Sequence, residues 1–314
     1  MINVQKCAVI GCGFVGSTSA YALVESGLFS ELVLLDSNQE KAEGEAMDLS
    51  HSVPFTRPMK IYAGTYDDLA ECALVIISAG AGQKPNETRM DLVQKNVAIF
   101  KEIIPRITQR NQECILLVVT NPVDILTYVT LKLSGFPANR VIGSGTVLDT
   151  ARLKYLLGEH LGVDSRSVHA FIIGEHGDSE LAVWSSANVS GIDLQDFCAL
   201  CGKCDEKETM QSLYEDVRDS AYEVIRKKGA TYYAVAMAVR RIVECIVRNE
   251  HSVLPVSSLI SGHYGLNDVC LGIPAIVGRS GIEKVLDIPL DETESSNLQA
   301  SAAKLKAVLD SLEI

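Results

Sequence analysis

Residues 11–16 read G-C-G-F-V-G and follow an apolar run ending Ala8-Val9-Ile10. A strand, then glycines, then a helix opening at Val15 is the context a dinucleotide loop requires. Gly11 permits a tight turn, and Gly13 lets backbone N–H groups approach a pyrophosphate. Gly16 lets the helix pack close to the strand, with its N-terminus facing the anion. Asp36 ends the next apolar run, Leu32-Val33-Leu34-Leu35, about 20 residues after the third glycine. A carboxylate there accepts hydrogen bonds from ribose hydroxyls and repels a 2′-phosphate, which favours NAD over NADP. A glycine-rich turn without a ligand would not need an acid in that register.

Other side chains could act on a substrate. His176 lies between Gly174 and Gly177 after an apolar run, which suits an exposed functional loop. With an ordinary pKa of about 6.5, its imidazole can give and take a proton near neutrality. His51, His160, His251 and His263 read as ordinary surface or core residues. Asp149 and Arg152 are three apart, a spacing that keeps both near one face of a helix. A guanidinium suits a carboxylate ligand because the two planar forks make paired hydrogen bonds. The plainer reading is an Asp–Arg helix pair worth only about 0.2–0.5 kcal/mol. Arg89 follows Gly80, Gly82, Pro85 and Asn86, a segment that can act as a lid. Its plainer reading is a solvated loop cation. Cys198, Cys201 and Cys204 form C-x-x-C-x-x-C. An iron–sulfur cluster normally needs a fourth cysteine, and zinc is the other candidate. Helical spacing explains the three as a partly buried helix face, and no metal is expected.

The elements that must position these groups alternate in the first half. Short β-rich runs at 6–10, 32–35, 60–62, 74–78, 114–119 and 140–142 are separated by helix-length segments at 15–26, 39–50, 91–109 and 124–133. The runs at 74–78 and 114–119 are continuously apolar, as strands buried on both faces of a parallel sheet would be. Strand–helix alternation implies right-handed crossovers and a doubly wound sheet, the Rossmann arrangement. A helix at 149–161 bridges into a second half of different character. There 168–173, 252–261 and 270–277 read as strands, the last two suggesting an antiparallel sheet. The segments 210–227, 231–248 and 292–312 read as helices. The expected division is an NAD-binding α/β domain at 1–145 and an α+β substrate domain at 146–314.

With 314 residues, two lobes are the natural expectation. The formal net charge of −12 gives no counterion-release energy on nucleic acid and repels anionic membrane surfaces. An anionic substrate must therefore be captured by local cations. No apolar run approaches the roughly 18 residues of a membrane span. The nine cysteines, odd in number and scattered through apolar runs, suggest free thiols in a reducing compartment, the cytoplasm.

Residues 79–96, A-G-A-G-Q-K-P-N-E-T-R-M-D-L-V-Q-K-N, are followed by V-T-N-P-V-D at 119–124, S-G-T-V-L-D-T-A-R at 144–152 and G-E-H-G-D-S-E at 174–180. In this order the chain resembles the lactate/malate dehydrogenase family, bacterial members above all, from Lys6 almost to the C-terminus. The resemblance implies reversible hydride transfer between NADH and a 2-oxo acid. It assigns His176 as the acid–base residue and Asp149 as the carboxylate that holds it. It assigns Arg152 as the anchor of the substrate carboxylate and Arg89 as the lid arginine that polarises the carbonyl. Gln83 stands where lactate-specific members tend to carry glutamine and malate-specific ones arginine. A second substrate carboxylate needs a cation there, whereas the methyl of pyruvate does not, so the expected product is (S)-lactate. Lys84, beside it, could offer a flexible cation. Thr231 matches a residue of the same pocket. Val15, Lys41, Tyr66, Gly80, Ala81 and Ser144 match positions near NAD, and Asn121 one near both nicotinamide and substrate.

The resemblance further implies a homotetramer, a place in glycolysis and fermentation, and activation by fructose 1,6-bisphosphate through Lys154 and His169. Lysine stands at Lys154 where the family has arginine, so the phosphate contact would lack the bidentate fork. The alternatives are a malate dehydrogenase, a dehydrogenase for longer 2-oxo acids, an NAD-dependent glycosidase and a binding protein that has lost catalysis. The glycosidase chemistry would need a divalent metal held by Cys and His, and the His–Asp–Arg–Arg set speaks against loss of catalysis.

Overall fold

The computed structural model describes residues 3–82, 87–202 and 206–313. The chain runs β1 (Asn3–Ile10), α1 (Phe14–Ser26), β2 (Glu31–Leu35), α2 (Gln39–Ser52), β3 (Lys60–Ala63), β4 (Cys72–Ile77), α3 (Arg89–Thr108), β5 (Ile115–Val118), α4 (Val123–Ser134) and β6 (Val141–Gly143). There follow α5 (Val147–Leu161), β7 (Val168–Ile173), β8 (Leu181–Val189), β9 (Ile192–Asp193), α6 (Leu194–Cys201), α7 (Glu206–Lys228), α8 (Tyr233–Arg248), β10 (Ser252–Ser261), β11 (Asn267–Gly278), β12 (Gly281–Val285) and α9 (Glu292–Leu309).

The six parallel strands lie in the order β3-β2-β1-β4-β5-β6. This is the doubly wound Rossmann order, with its reversal between β1 and β4. Period-two alternation divides each strand between two cores. Ala8, Ile10, Val75 and Ile77 join the core under α3, α4 and α9, while Cys7, Val9, Leu74 and Ile76 join the core under α1, α2 and α8. Fully burying each of the Val, Leu and Ile side chains among these contributes about 1.5–3 kcal/mol. A third core lies between α5, α6, α7 and the small antiparallel sheet β7-β8-β9.

Two expectations need correction. The antiparallel strands do not form a sheet of their own, because β10 pairs with β6 at Ser257↔Gly143. That one pairing joins β10, β11 and β12 to the parallel strands in a nine-stranded sheet. The helix expected at 231–248 begins only at Tyr233, which leaves Thr231 in the turn before it. The strand β8 was not anticipated. Its sequence, L-A-V-W-S-S-A-N-V, is rich in Ala and Ser and lacks clean alternation.

Candidate active site

The glycine loop joins β1 to α1 as the sequence predicts. Gly11 has φ +101°, and a Cβ there would lie 2.4 Å from the Ala79 nitrogen. A Cβ on Gly16 would lie 1.7 Å from the Gly11 carbonyl oxygen, so only glycine allows α1 to approach β1 this closely. At Gly13, by contrast, a Cβ would meet nothing within 4 Å. Gly13 is the N-cap of α1, and no side chain caps the first N–H groups. Uncapped donors facing open space at a helix N-terminus suit a phosphate.

A cavity of about 630 Å³ opens beside this loop at the carboxyl ends of the strands. Gly11, Gly13, Asp36, Lys41, Tyr66 and Gly80 line it, as do Thr65 and Arg106, which sequence reasoning missed. Arg106 stacks on the Tyr66 ring at 4.9 Å. Asp36 accepts hydrogen bonds from the Cys12 N–H at 2.7 Å and the Asn38 N–H at 2.9 Å. The glycine loop thus fixes the carboxylate at the cavity wall. The residues present fit an NAD dinucleotide.

Five cofactor candidates do not line this cavity. Val15 packs against the core under α1, and Gly16 serves the loop itself. The Ala81 N–H donates to Asn96 Oδ1 at 2.7 Å, and Asn96 Nδ2 donates to the Asn121 carbonyl at 2.8 Å. Buried Asn96, also missed, therefore ties the end of β4 to the end of β5. Ser144 is buried and its N–H donates to the Val118 carbonyl at 2.9 Å. Replacing Asp36 with serine should weaken NADH binding about 10- to 150-fold, as expected for losing charge-assisted hydrogen bonds of about 1.5–3 kcal/mol. It should also narrow the preference over NADPH. Fluorescence titration of both cofactors checks this.

The second cluster forms where α5 meets the loop after β7. His176 Nδ1 lies 2.6 Å from Asp149 Oδ2, and Arg152 Nη1 donates to Asp149 Oδ1 at 2.8 Å. Both Asp149 oxygens are thus engaged, and the imidazole Nε2 is left for a reacting atom. Burial alone would depress the His176 pKa. The charge and hydrogen bond of Asp149, reinforced by Asp124 and Glu180, outweigh that and lift it to about 9. Burial likewise opposes ionisation of Asp149, but His176 and then Arg152 hold its pKa below the usual carboxylate range.

Asp124 closes the V-T-N-P-V-D motif at 119–124. It accepts from the His176 N–H at 2.8 Å and from the Ser257 hydroxyl at 2.6 Å, and so holds the histidine's main chain. Burial pushes its own pKa up. Arg89 opens α3 behind a capping box of Thr88 and Asp91 and is paired with buried Glu175. Ser179 also donates to Glu175, and the Glu175 N–H donates to Ser301 Oγ at 2.9 Å. Arg89 is therefore seated on the loop that carries His176 rather than free in solvent. Thr231 is half-buried, and its neighbour Tyr232 stacks on Phe14 of the glycine loop at 5.2 Å.

Gln83 and Lys84 lie outside the described residues. Lys154 is half-buried, with its pKa lowered by burial, and His169 is exposed on β7. Of the cysteine triplet, Cys198 is buried and disulfide-bonded, Cys201 is exposed and free, and Cys204 lies outside the described residues. The disulfide corrects the expectation of free thiols throughout, while Cys198 and Cys201 both lie on α6, one buried and one exposed.

The fold that brings the dinucleotide cavity and the buried His–Asp–Arg cluster together is shared with known proteins. The chain belongs to the lactate/malate dehydrogenase family and is an NAD-dependent oxidoreductase. The family's NAD binding domain matches residues 5–143, and its alpha/beta C-terminal domain matches residues 146–313. The chain is 60% identical over 311 residues to the L-lactate dehydrogenase of Acetivibrio thermocellus, covering 99% of this chain and 98% of that protein. It is 55% identical over 308 residues to L-lactate dehydrogenase 1 of Clostridium acetobutylicum, covering 98% of each. The solved structure of a minor L-lactate dehydrogenase from Enterococcus mundtii superposes with a TM-score of 0.96 at 42% identity, covering 99% of both chains. A lactate dehydrogenase from a Medee basin deep-sea metagenome library gives 0.95 at 46% identity, again over 99% of both.

Proposed function

We propose that the chain is an L-lactate dehydrogenase, interconverting pyruvate and (S)-lactate. The observation that carries this reading is the Arg152–Asp149–His176 chain of contacts, at 2.8 and 2.6 Å, beside a cavity fitted to a dinucleotide. When bound, NADH supplies the hydride. His176 Nε2 holds the proton that the developing alkoxide needs, and Asp149 fixes the ring and stabilises its charged form. Arg152 offers its remaining guanidinium donors to the substrate carboxylate. Arg89 polarises the carbonyl once it leaves Glu175 for the substrate. Asn121 and Thr231 complete the pocket, and Val15, Gly16, Ala81 and Ser144 support the cofactor side from behind the cavity wall. The reading keeps 1–145 as the cofactor domain and 146–314 as the substrate domain.

Gln83 carries the choice of substrate. Gln83→Arg should raise activity on oxaloacetate relative to pyruvate by about 1.5–3 kcal/mol, or 10- to 150-fold, because a charged hydrogen bond is gained by one substrate only. Equal loss on both substrates would remove Gln83 from that role.

Among the described residues no helix is long and apolar enough to cross a membrane. We place the enzyme in the cytoplasm, at the fermentative end of glycolysis, as a homotetramer. Lys154 and His169 are the proposed contacts for fructose 1,6-bisphosphate. Millimolar effector should raise turnover at low pyruvate, and Lys154→Ala should abolish the rise. No change at acid or neutral pH would end the proposal.

A further inference from the structure

Glu180 is a carboxyl with no evident structural duty. It sits at the end of the turn that carries His176, where its N–H donates to the Gly177 carbonyl at 3.0 Å and its own carbonyl accepts from the Tyr214 hydroxyl of α7. These backbone ties hold the side chain in place. It is only 5% exposed, and among the described residues Oε1 has no hydrogen-bond partner. One side-chain atom each of Glu180, Asp149 and His176 lie within 4.8 Å of one another. A carboxylate kept merely for packing would be hydrogen-bonded or replaced by an apolar or amide side chain, because an unpaired buried polar group is destabilising.

We propose that Glu180 is a positioning residue for the acid–base pair, a buried carboxyl that sets the proton affinity of His176 without touching the substrate. The proposal rests on the assignment of His176 as the acid–base group. Burial first, and the Asp149 charge second, push the Glu180 pKa up to about 8. His176, Arg152 and Arg218 of α7 oppose that rise. Asp124 faces the histidine from α4, and Asp178, Asp291, Glu294 and Lys304 line the cavity of about 360 Å³ on the other side of Glu180. Ionised, Glu180 is one of the charges that hold the His176 pKa up. Its negative charge then keeps the imidazole protonated to higher pH, extending the range in which reduction has its acid.

The test is the pH dependence of kcat/KM for pyruvate reduction, which reports the free enzyme. Glu180→Gln should move the alkaline limb about 1 pH unit toward acid, the scale of a coupled titration. NADH affinity should be unchanged, and Glu180→Asp should restore much of the limb. An unmoved limb in folded Glu180→Gln protein overturns the proposal. If that variant does not fold, the wild-type protein with 13C-labelled glutamate carboxyls decides. One carboxyl titrating near neutrality or above supports the proposal, and all titrating in the ordinary acid range overturns it. His176→Asn is assayed alongside. Retained turnover there would sink the acid–base assignment itself, whatever Glu180→Gln does.

Discussion

Replacing His176 with asparagine should lower kcat for pyruvate reduction about 10²- to 10⁴-fold, the usual contribution of a positioned general acid. NADH affinity should be unchanged, because the dinucleotide cavity is built by the glycine loop and Asp36 and not by His176. The wild-type protein should show a matching pH signature. With His176 lifted to about 9, reduction needs the protonated ring and should fall as pH rises through that value. Lactate oxidation needs the neutral ring and should rise over the same range. Fold stability follows the same linkage. The folded pKa lies above the unfolded value of about 6.5, so the stabilisation is fully present below about 6.5 and is lost as pH climbs through about 9. Stopped-flow and steady-state rates from neutral to alkaline pH check both directions. A variant that loses less than tenfold would place the acid elsewhere.

Replacing Arg152 with lysine should cost kcat/KM about 2–5 kcal/mol, or roughly 30- to 5,000-fold, the range for truncating one partner of a buried, hydrogen-bonded charge pair. Lysine keeps the charge but not the planar fork. In the free protein Arg152 already donates to Asp149 Oδ1 at 2.8 Å with its side chain 15% exposed, so a lysine must serve Asp149 and the substrate carboxylate with one ammonium. The loss should fall on KM for pyruvate more than on NADH binding. It should also relax Asp149, shifting the pH profile in a way a simple anchoring residue would not. A near-normal KM for pyruvate would contradict this role.

On the cofactor side the glycine loop and Asp36 were legible, because glycine spacing and a strand-end acid are local features, whereas Val15, Gly16, Ala81, Asn121 and Ser144 do not line the cavity. Asp36 was legible without knowing that Cys12 holds it. Its hydrogen bond to the Cys12 N–H closes across 24 residues inside one βαβ unit. The groups that surround His176 were far less legible. Asp124 meets it across 52 residues and Asp149 across 27. Nothing in residue type distinguishes Asp124, Glu175 or Glu180 from surface acids until the fold buries them. The joining of β10 to β6 was invisible for a related reason, since it depends on one residue pair at a sheet edge and leaves no periodicity. α8 starts later than the pattern predicts: Thr231 and Tyr232 read as helix in the sequence, yet Tyr232 stacks on Phe14 and the helix begins at Tyr233.

NADH oxidation, followed by the nicotinamide absorbance with pyruvate and oxaloacetate compared side by side, tests the substrate assignment most directly. A large preference for pyruvate is expected, with lactate formed as the S enantiomer. A preference for oxaloacetate would keep the fold and the hydride chemistry but contradict the substrate assignment, and would turn attention to Lys84 beside Gln83.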